Sequence, residues 1–163
     1  MADTMSLTQR HHCMSSIRSK NTKPEMLVRR YLHSNGFRYA HHTKRLPGKP
    51  DIVLRKYHSV VFVHGCFWHG HPGCPDFRPS KSNDAFWKEK VRANKERDSA
   101  EIGTLEAMGW NVIVVWECEL KKDRVQGTME ELTKTLRRQM EAEMIHHIPL
   151  SVRKQAHQDP TID

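Results

Sequence analysis

Between His64 and Cys74 the chain reads His-Gly-Cys-Phe-Trp-His-Gly-His-Pro-Gly-Cys, so three imidazoles, two thiols and two large aromatics share one glycine-punctuated stretch. Cys66, His71 and Cys74, joined by Cys118 from later in the chain, make up the thiolate and imidazole set that tetrahedral zinc takes. Four protein ligands leave no open position, so an ion held this way is structural. His69 could replace His71 in that set, but assigning His71 leaves His69 beside the preceding strand and free to move a proton. Upstream, Pro50-Asp51 supplies a carboxylate. A carboxylate next to strand-end carbonyls is the oxygen environment that magnesium selects, and an ion there would polarise a phosphodiester. His69 could then take the proton of an attacking water, while a carboxylate such as Asp98 holds its tautomer. The adjacent Phe67 and Trp68 cannot easily both point inward, which leaves one or both to stack on bases or wedge between them.

These groups need elements to position them. The β-branched run Val60 to Val63 runs without a polar break into the loop and predicts a buried strand. Asp51 to Leu54, a turn over Arg55 to His58, and Ser59 to Val63 predict an antiparallel hairpin that sets Asp51 beside Val63, His64 and Gly65. Thr22-Lys23-Pro24-Glu25 has the form of a capping box, with a helix following on Leu27, Val28, Tyr31 and Leu32 and stopping at Asn35-Gly36. By itself that pattern makes Glu25 a cap. Phe37 to Ala40 predicts a short strand.

Asn83 or Asp84 opens a long helix that Gly109 ends. Its stripe of Trp87, Val91, Asn94, Asp98, Ile102 and Leu105 is interrupted by two polar residues, which need specific partners if buried; the loop histidines are the candidates. Trp110 to Trp116 predicts a strand suited to a central position, delivering Cys118 to the other three metal-binding residues if it lies near Ser59 to Val63. Thr128-Met129-Glu130-Glu131 predicts a second capping box, opening a terminal helix on Leu132, Leu136 and Met140.

The 163 residues suit one domain, taken as residues 21–146, after a basic arm (1–20) that carries Arg18 and Lys20 and before a polar tail (147–163). Lys and Arg number 27 against 19 for Asp and Glu, a formal charge of +8, and a polyanion is the natural partner. No run approaches the roughly 20 apolar residues of a membrane span, and the N-terminus has no apolar signal core. A cytoplasmic protein is expected, with its cysteines serving a metal rather than disulfides and Cys13 left over. In the loop 75–82, Phe77 and Arg78 are positioned to touch a partner.

Pro50-Asp51, the strand ending in Val63-His64-Gly65-Cys66-Phe67-Trp68-His69-Gly70-His71, the later Phe86-Trp87 and Asn94 to Asp98, and Val114-Val115-Trp116-Glu117-Cys118 closely resemble the very-short-patch mismatch repair (Vsr) endonucleases. The resemblance covers about residues 8 to 140. It implies an α/β protein with a PD-(D/E)xK restriction-endonuclease-like fold, a central mixed β-sheet flanked by helices, and a structural zinc site. The activity it implies is strand-specific, magnesium-dependent nicking of double-stranded DNA 5′ to the thymine of a T:G mismatch left by deamination of 5-methylcytosine. Carried over by position, Asp51 and the main-chain carbonyl of Val63 look like the magnesium ligands, His69 like the general base, and Asp98 like the group that orients it. His64, Asn94 and Glu25 look like supporting site residues, which reverses the reading of Glu25 as only a cap. Met14, Phe67 and Trp68 look like residues that intercalate beside the mismatch, with Trp87, Arg18 and Lys20 as further DNA contacts.

Cys66, His71, Cys74 and Cys118 fall on the family's zinc ligands. The expected state is a monomer, with a MutL-type repair protein and a cognate cytosine methyltransferase as functional partners. Position 63, often Thr in the family, is Val63 here, and the loop before Cys74, with Pro72 and Gly73, is one residue longer than a common form. The alternatives are a homing-type or phage endonuclease on the same fold and a zinc-stapled DNA-binding module without catalysis; a pure binder has no use for Asp51 or His69.

Overall fold

The computed structural model describes residues 20–41, 43–77 and 83–147, together with Thr8. The expectations placed on Cys13, Met14, Arg18 and Arg78, and on most of the arm and tail, lie outside these residues.

Helix α1 (Lys23–Ser34) begins where the sequence predicts. Thr22 is its N-cap and accepts the Glu25 N–H at Oγ1, 3.4 Å, and Pro24 sits in the first turn, where a missing N–H costs nothing. Glu25 reaches back one residue further than in the usual box, accepting the Asn21 N–H and the Thr22 hydroxyl, each at 2.9 Å. Val28 and Leu32 are fully buried, but Leu27 is 41% exposed, so the stripe is rotated away from Leu27 and takes in Arg29 instead.

Strand β1 (Ile52–Leu54), a 3-10 turn (Arg55–Tyr57) and strand β2 (Ser59–His64) form the expected hairpin, with Ile52 opposite Val61 and Leu54 opposite Ser59. Helix α2 (Asp84–Ala107) crosses over to strand β3 (Asn111–Trp116), which runs parallel to β2 with Val63 beside Val115. A 3-10 turn (Glu117–Leu120) leads to helix α3 (Val125–His147). The sheet order is β1-β2-β3.

Four expectations are corrected. Among the described residues β3 is an edge strand, mostly half-buried, and β2 takes the centre, because β2 is the one that pairs on both sides. Phe37 to Ala40 makes a single bridge, Ala40 with Val53, rather than a strand. α3 starts at Val125, and Thr128 is already helical; its hydroxyl donates to the Glu119 carbonyl at 3.0 Å and ties the helix to the turn before it. Asn83 stands at the N-cap position of α2 without a side-chain cap, its backbone being left-handed.

The period-two alternation of the strands sorts the core into two layers. Ile52, Leu54, Val61 and Val115 point to one face, where they meet Val28 and Leu32 of α1 and Met129, Leu132 and Leu136 of α3. Val53, Val60 and Phe62 point to the other and meet Leu105 of α2, with Ile102, Val112 and Val114 packed around them. Gly109, at φ +84°, ends α2 in a Schellman turn: its N–H donates to Glu106 and that of Trp110 to Leu105. The sheet is therefore covered on both faces, and the C-terminal ends of β2 and β3 open together onto the loop. Leu136 is fully buried in the α1/α3 layer; Leu136→Ala is expected to cost about 2–5 kcal/mol, measured as a lowered urea midpoint.

Candidate active site and metal cluster

The hairpin does what its register requires at Pro50-Asp51. Val53 exchanges both main-chain hydrogen bonds with Ala40, so Ile52 and Leu54 are the β1 residues that bond across to β2. Two rungs beyond Ile52 and Val61, the same register sets Pro50 opposite Val63. Proline has no N–H to donate, so the Val63 carbonyl has no ladder partner on that side. The Val63 N–H turns instead to Asp51 Oδ2 at 2.8 Å. No other hydrogen bond to the Asp51 carboxylate occurs among the described residues. Burial pushes the Asp51 carboxyl up to about 6; the Val63 N–H opposes this, and nearby Glu25 adds to it. A carboxylate and a main-chain carbonyl, both short of partners at one strand end, are a hard donor set that fits a divalent cation.

Helix α1 stands behind this pair. Buried Arg29 donates to the Asp51 main-chain carbonyl at 3.1 Å, pairs with Glu25 at 3.4 Å and bonds Asn21 Oδ1 at 2.7 Å. Glu25 thus caps the helix and also faces the Asp51 site. Arg29 was not singled out from the sequence; its spacing of four from Glu25 on one helix face was the available signal.

Past His64 the chain folds into a compact turn, in which the His69 N–H donates to Gly65 and the His71 N–H to Cys66. α2 holds this turn by the two polar residues that interrupt its stripe. Asn94 Nδ2 donates to the Trp68 carbonyl at 2.8 Å, so its partner is main chain rather than a histidine. Asp98 does meet a histidine: its Oδ2 lies 2.5 Å from His69 Nδ1. An ionised carboxylate only accepts, so Nδ1 is the donor in this bond and Nε2 is the ring nitrogen that Asp98 does not engage. His64 stacks on His69, with centroids 3.8 Å apart and planes within 5°. Burial, then the charge of His69, lowers the His64 pKa to about 4, so a neutral ring lies over His69.

The second cluster lies on the other side of His64. The ligand atoms of Cys66, His71, Cys74 and Cys118 lie within 4.8 Å of one another. His71 Nδ1 is 3.6 Å from Cys66 Sγ and 3.4 Å from Cys118 Sγ. A tetrahedral ion with bonds of about 2.3 Å to sulfur and 2.0 Å to nitrogen would need such edges near about 3.5 Å, so the set fits one. Burial, with Cys66 and Cys74 alongside, pushes the Cys118 thiol up to about 12, the condition a cation would relieve. Between the two clusters stands Trp116, stacked on His71 at 4.0 Å and edge-on to His64 at 5.4 Å. No local signal distinguished it from the other aromatic residues of the strands.

Phe67, Trp68 and Trp87 form a half-buried group of edge-to-face rings, with centroids 5.3–5.8 Å apart. Phe67 and Trp87 also border an apolar cavity of about 390 Å³, lined further by Phe77 and Val91. Phe86 is 53% exposed. Lys20 is exposed; Met14 and Arg18 lie outside the described residues.

The family model described as DNA mismatch endonuclease Vsr matches residues 2–76. The DNA mismatch endonuclease Vsr of Escherichia coli is 38% identical over 136 residues, 83% of this chain and 86% of that protein. The chain belongs to the Vsr family. Two relatives are type II nicking enzymes by name: V.NmeAIP of Neisseria meningitidis serogroup A, 52% identical over 77% of this chain and 89% of that one, and V.XorIIP of Xanthomonas oryzae pv. oryzae, 50% identical over 74% and 88%. No helix among the described residues is long and apolar enough to cross a membrane.

One glycine in the loop is required by its surroundings. Gly70 has φ +58°, and a Cβ there would lie 2.6 Å from Val91 Cγ1 on α2. Gly70→Ala combines left-handed strain with a clash against a packed helix, and should destabilise the fold by about 1–3 kcal/mol, seen as a lower melting temperature.

Proposed function

We propose that this chain is a magnesium-dependent, strand-specific nickase on a PD-(D/E)xK-like fold, acting as a monomer on double-stranded DNA 5′ to the thymine of a T:G mismatch. The observation that carries the reading is the convergence, at the end of β2, of the Asp51 carboxylate with His69, whose charge acts on Asp51 and whose Nδ1 is held by Asp98. The family membership and the nicking enzymes among the relatives support it.

Asp51 and the Val63 carbonyl would hold the divalent ion, and replacing Thr by Val at position 63 leaves that carbonyl in place. Bound there, the ion supplies positive charge to the scissile phosphate and the departing oxyanion. The chain's own residues handle the water. His69 Nε2 takes its proton as the water oxygen attacks phosphorus, and Asp98 steadies the imidazolium that results. Neutral His64 keeps the His69 plane fixed without repelling that charge. Asn94 fixes the peptide that leads into His69, and Glu25 completes the acidic side of the site through Arg29. Phe67, Trp68 and Trp87 offer faces for stacking on bases, with Met14, Arg18 and Lys20 of the arm as further contacts. Zinc on Cys66, His71, Cys74 and Cys118 staples the loop to the turn after β3. A MutL-type protein and a cytosine methyltransferase are the partners such an activity implies.

Nicking of matched duplexes in magnesium, with and without a T:G pair and in varied flanking contexts, tests the reading. Cleavage beside the mismatched thymine is expected to fall at least about 100-fold in Asp51→Ala and His69→Ala. Equal cutting of paired and mismatched DNA would favour a homing-type enzyme, and binding without cutting in any context would favour a non-catalytic module. Elemental analysis of purified protein should give about one zinc per chain. Cys118→Ser should lower both zinc content and melting temperature, whereas Cys13→Ser should lower neither.

A further inference from the structure

α1 presents Arg29 and His33 along one face, four residues apart. The chain stops the helix at Asn35-Gly36 and returns beside it, so that Arg38, Tyr39 and His41 form a facing wall. Asn21 closes one end, and the groove between these walls has a volume of about 730 Å³.

Three properties of the groove point to one ligand. Among the described residues its lining contains two arginines and two histidines and no carboxylate. Arg38 is exposed, and its head group makes one long contact, Nη1 to the Phe37 carbonyl at 3.4 Å, with no ion pair among the described residues. The fold also fixes the two walls against each other: Tyr39 Oη donates to the Arg29 carbonyl at 3.1 Å, and the Ala40–Val53 bridge pins the returning wall to the sheet. Finally, the groove adjoins the reactive end of β1, since Arg29 in its wall donates to the Asp51 carbonyl.

We propose that this groove binds the phosphodiester backbone of the nicked strand next to the scissile phosphate, with Arg38 as its principal phosphate contact and His33 and His41 as flanking donors. The inference rests on the nuclease reading, because a strand cut at Asp51 must leave the site along some surface. This one is basic, pre-formed and contiguous with it. A guanidinium with an open fork is suited to a phosphate's paired oxygens.

The test uses the full chain and a T:G duplex, with binding followed by fluorescence anisotropy in a salt series without magnesium. Arg38→Ala should reduce the slope of log Kd against log salt by about 1, with the melting temperature unchanged. Arg38→Lys should keep the slope. A single neutral methylphosphonate is then walked along the nicked strand. At one position near the scissile phosphate it should weaken wild-type binding and cause no further loss in Arg38→Ala. A wild-type slope in Arg38→Ala, or additive losses at every methylphosphonate position, would overturn the proposal and leave the groove to a carboxylate-bearing partner. Nicking is assayed in parallel: a changed slope in a chain that never nicks would sink the nickase reading and keep the groove, while intact nicking with an unchanged slope would sink the groove alone.

Discussion

The hydrogen bond from the Val63 N–H to the Asp51 carboxylate stands where a ladder rung is missing, and the rest of the site is arranged around that gap. A hairpin continued by one more residue pair would have spent the Val63 amide and carbonyl on its partner strand. Pro50 cannot complete that pair, because it has no N–H to donate to the Val63 carbonyl. The ladder therefore ends with a carbonyl uncommitted and a carboxylate drawn in beside it. Arg29 secures the arrangement from α1 by gripping the peptide that carries Asp51. Burial of this carboxylate raises its pKa, and the Val63 N–H works against that rise.

The histidines are set by a different constraint, the attachment of an irregular loop to regular elements. α2 contributes Asn94 and Asp98 at helical spacing, so two side chains on one face catch the loop at two successive points. The thiol and imidazole cluster catches it again from the far end of β3. Trp116 fills the space between, with one face on His71 and its edge toward His64. The position of His69 is thus fixed from three directions, by the Asp98 carboxylate, by the stacked His64 ring and by the loop backbone.

Local signals made most of this legible. The Pro50-Asp51 turn, the hairpin register and the cysteine and histidine spacings are short-range features, and each matches the geometry found. So does the demand that Asn94 and Asp98 find partners, although the sequence pointed to histidines for both and Asn94 took a carbonyl. What was illegible depends on tertiary choice. An apolar strand such as Asn111–Trp116 reads as central, yet its burial comes from α2 on one face and the first core layer on the other rather than from a strand on each side. Thr128 reads as a cap, yet three earlier residues also join α3 and its hydroxyl serves the preceding turn. Arg29 goes unmarked, since nothing near it in sequence announces the Asp51 carbonyl it meets.

α2 is about 36 Å long at a helical rise of 1.5 Å per residue, and its anchoring is uneven. Leu105 and Ile102 near its C-terminal end lie on the sheet. Toward the N-terminal end its contacts are with the loop: Asn94 on Trp68, Val91 against Gly70, and Trp87 among Phe67 and Trp68. Helix and loop in that half support each other, and the loop is tied besides to Trp116 and Cys118 at the end of β3. They form one cooperative unit for local opening, with amides that should exchange with solvent together and ahead of those in β2. The Asp51 carboxylate is thus held against the central strand, while the faces of Phe67, Trp68 and Trp87 sit where the sheet gives the least direct support.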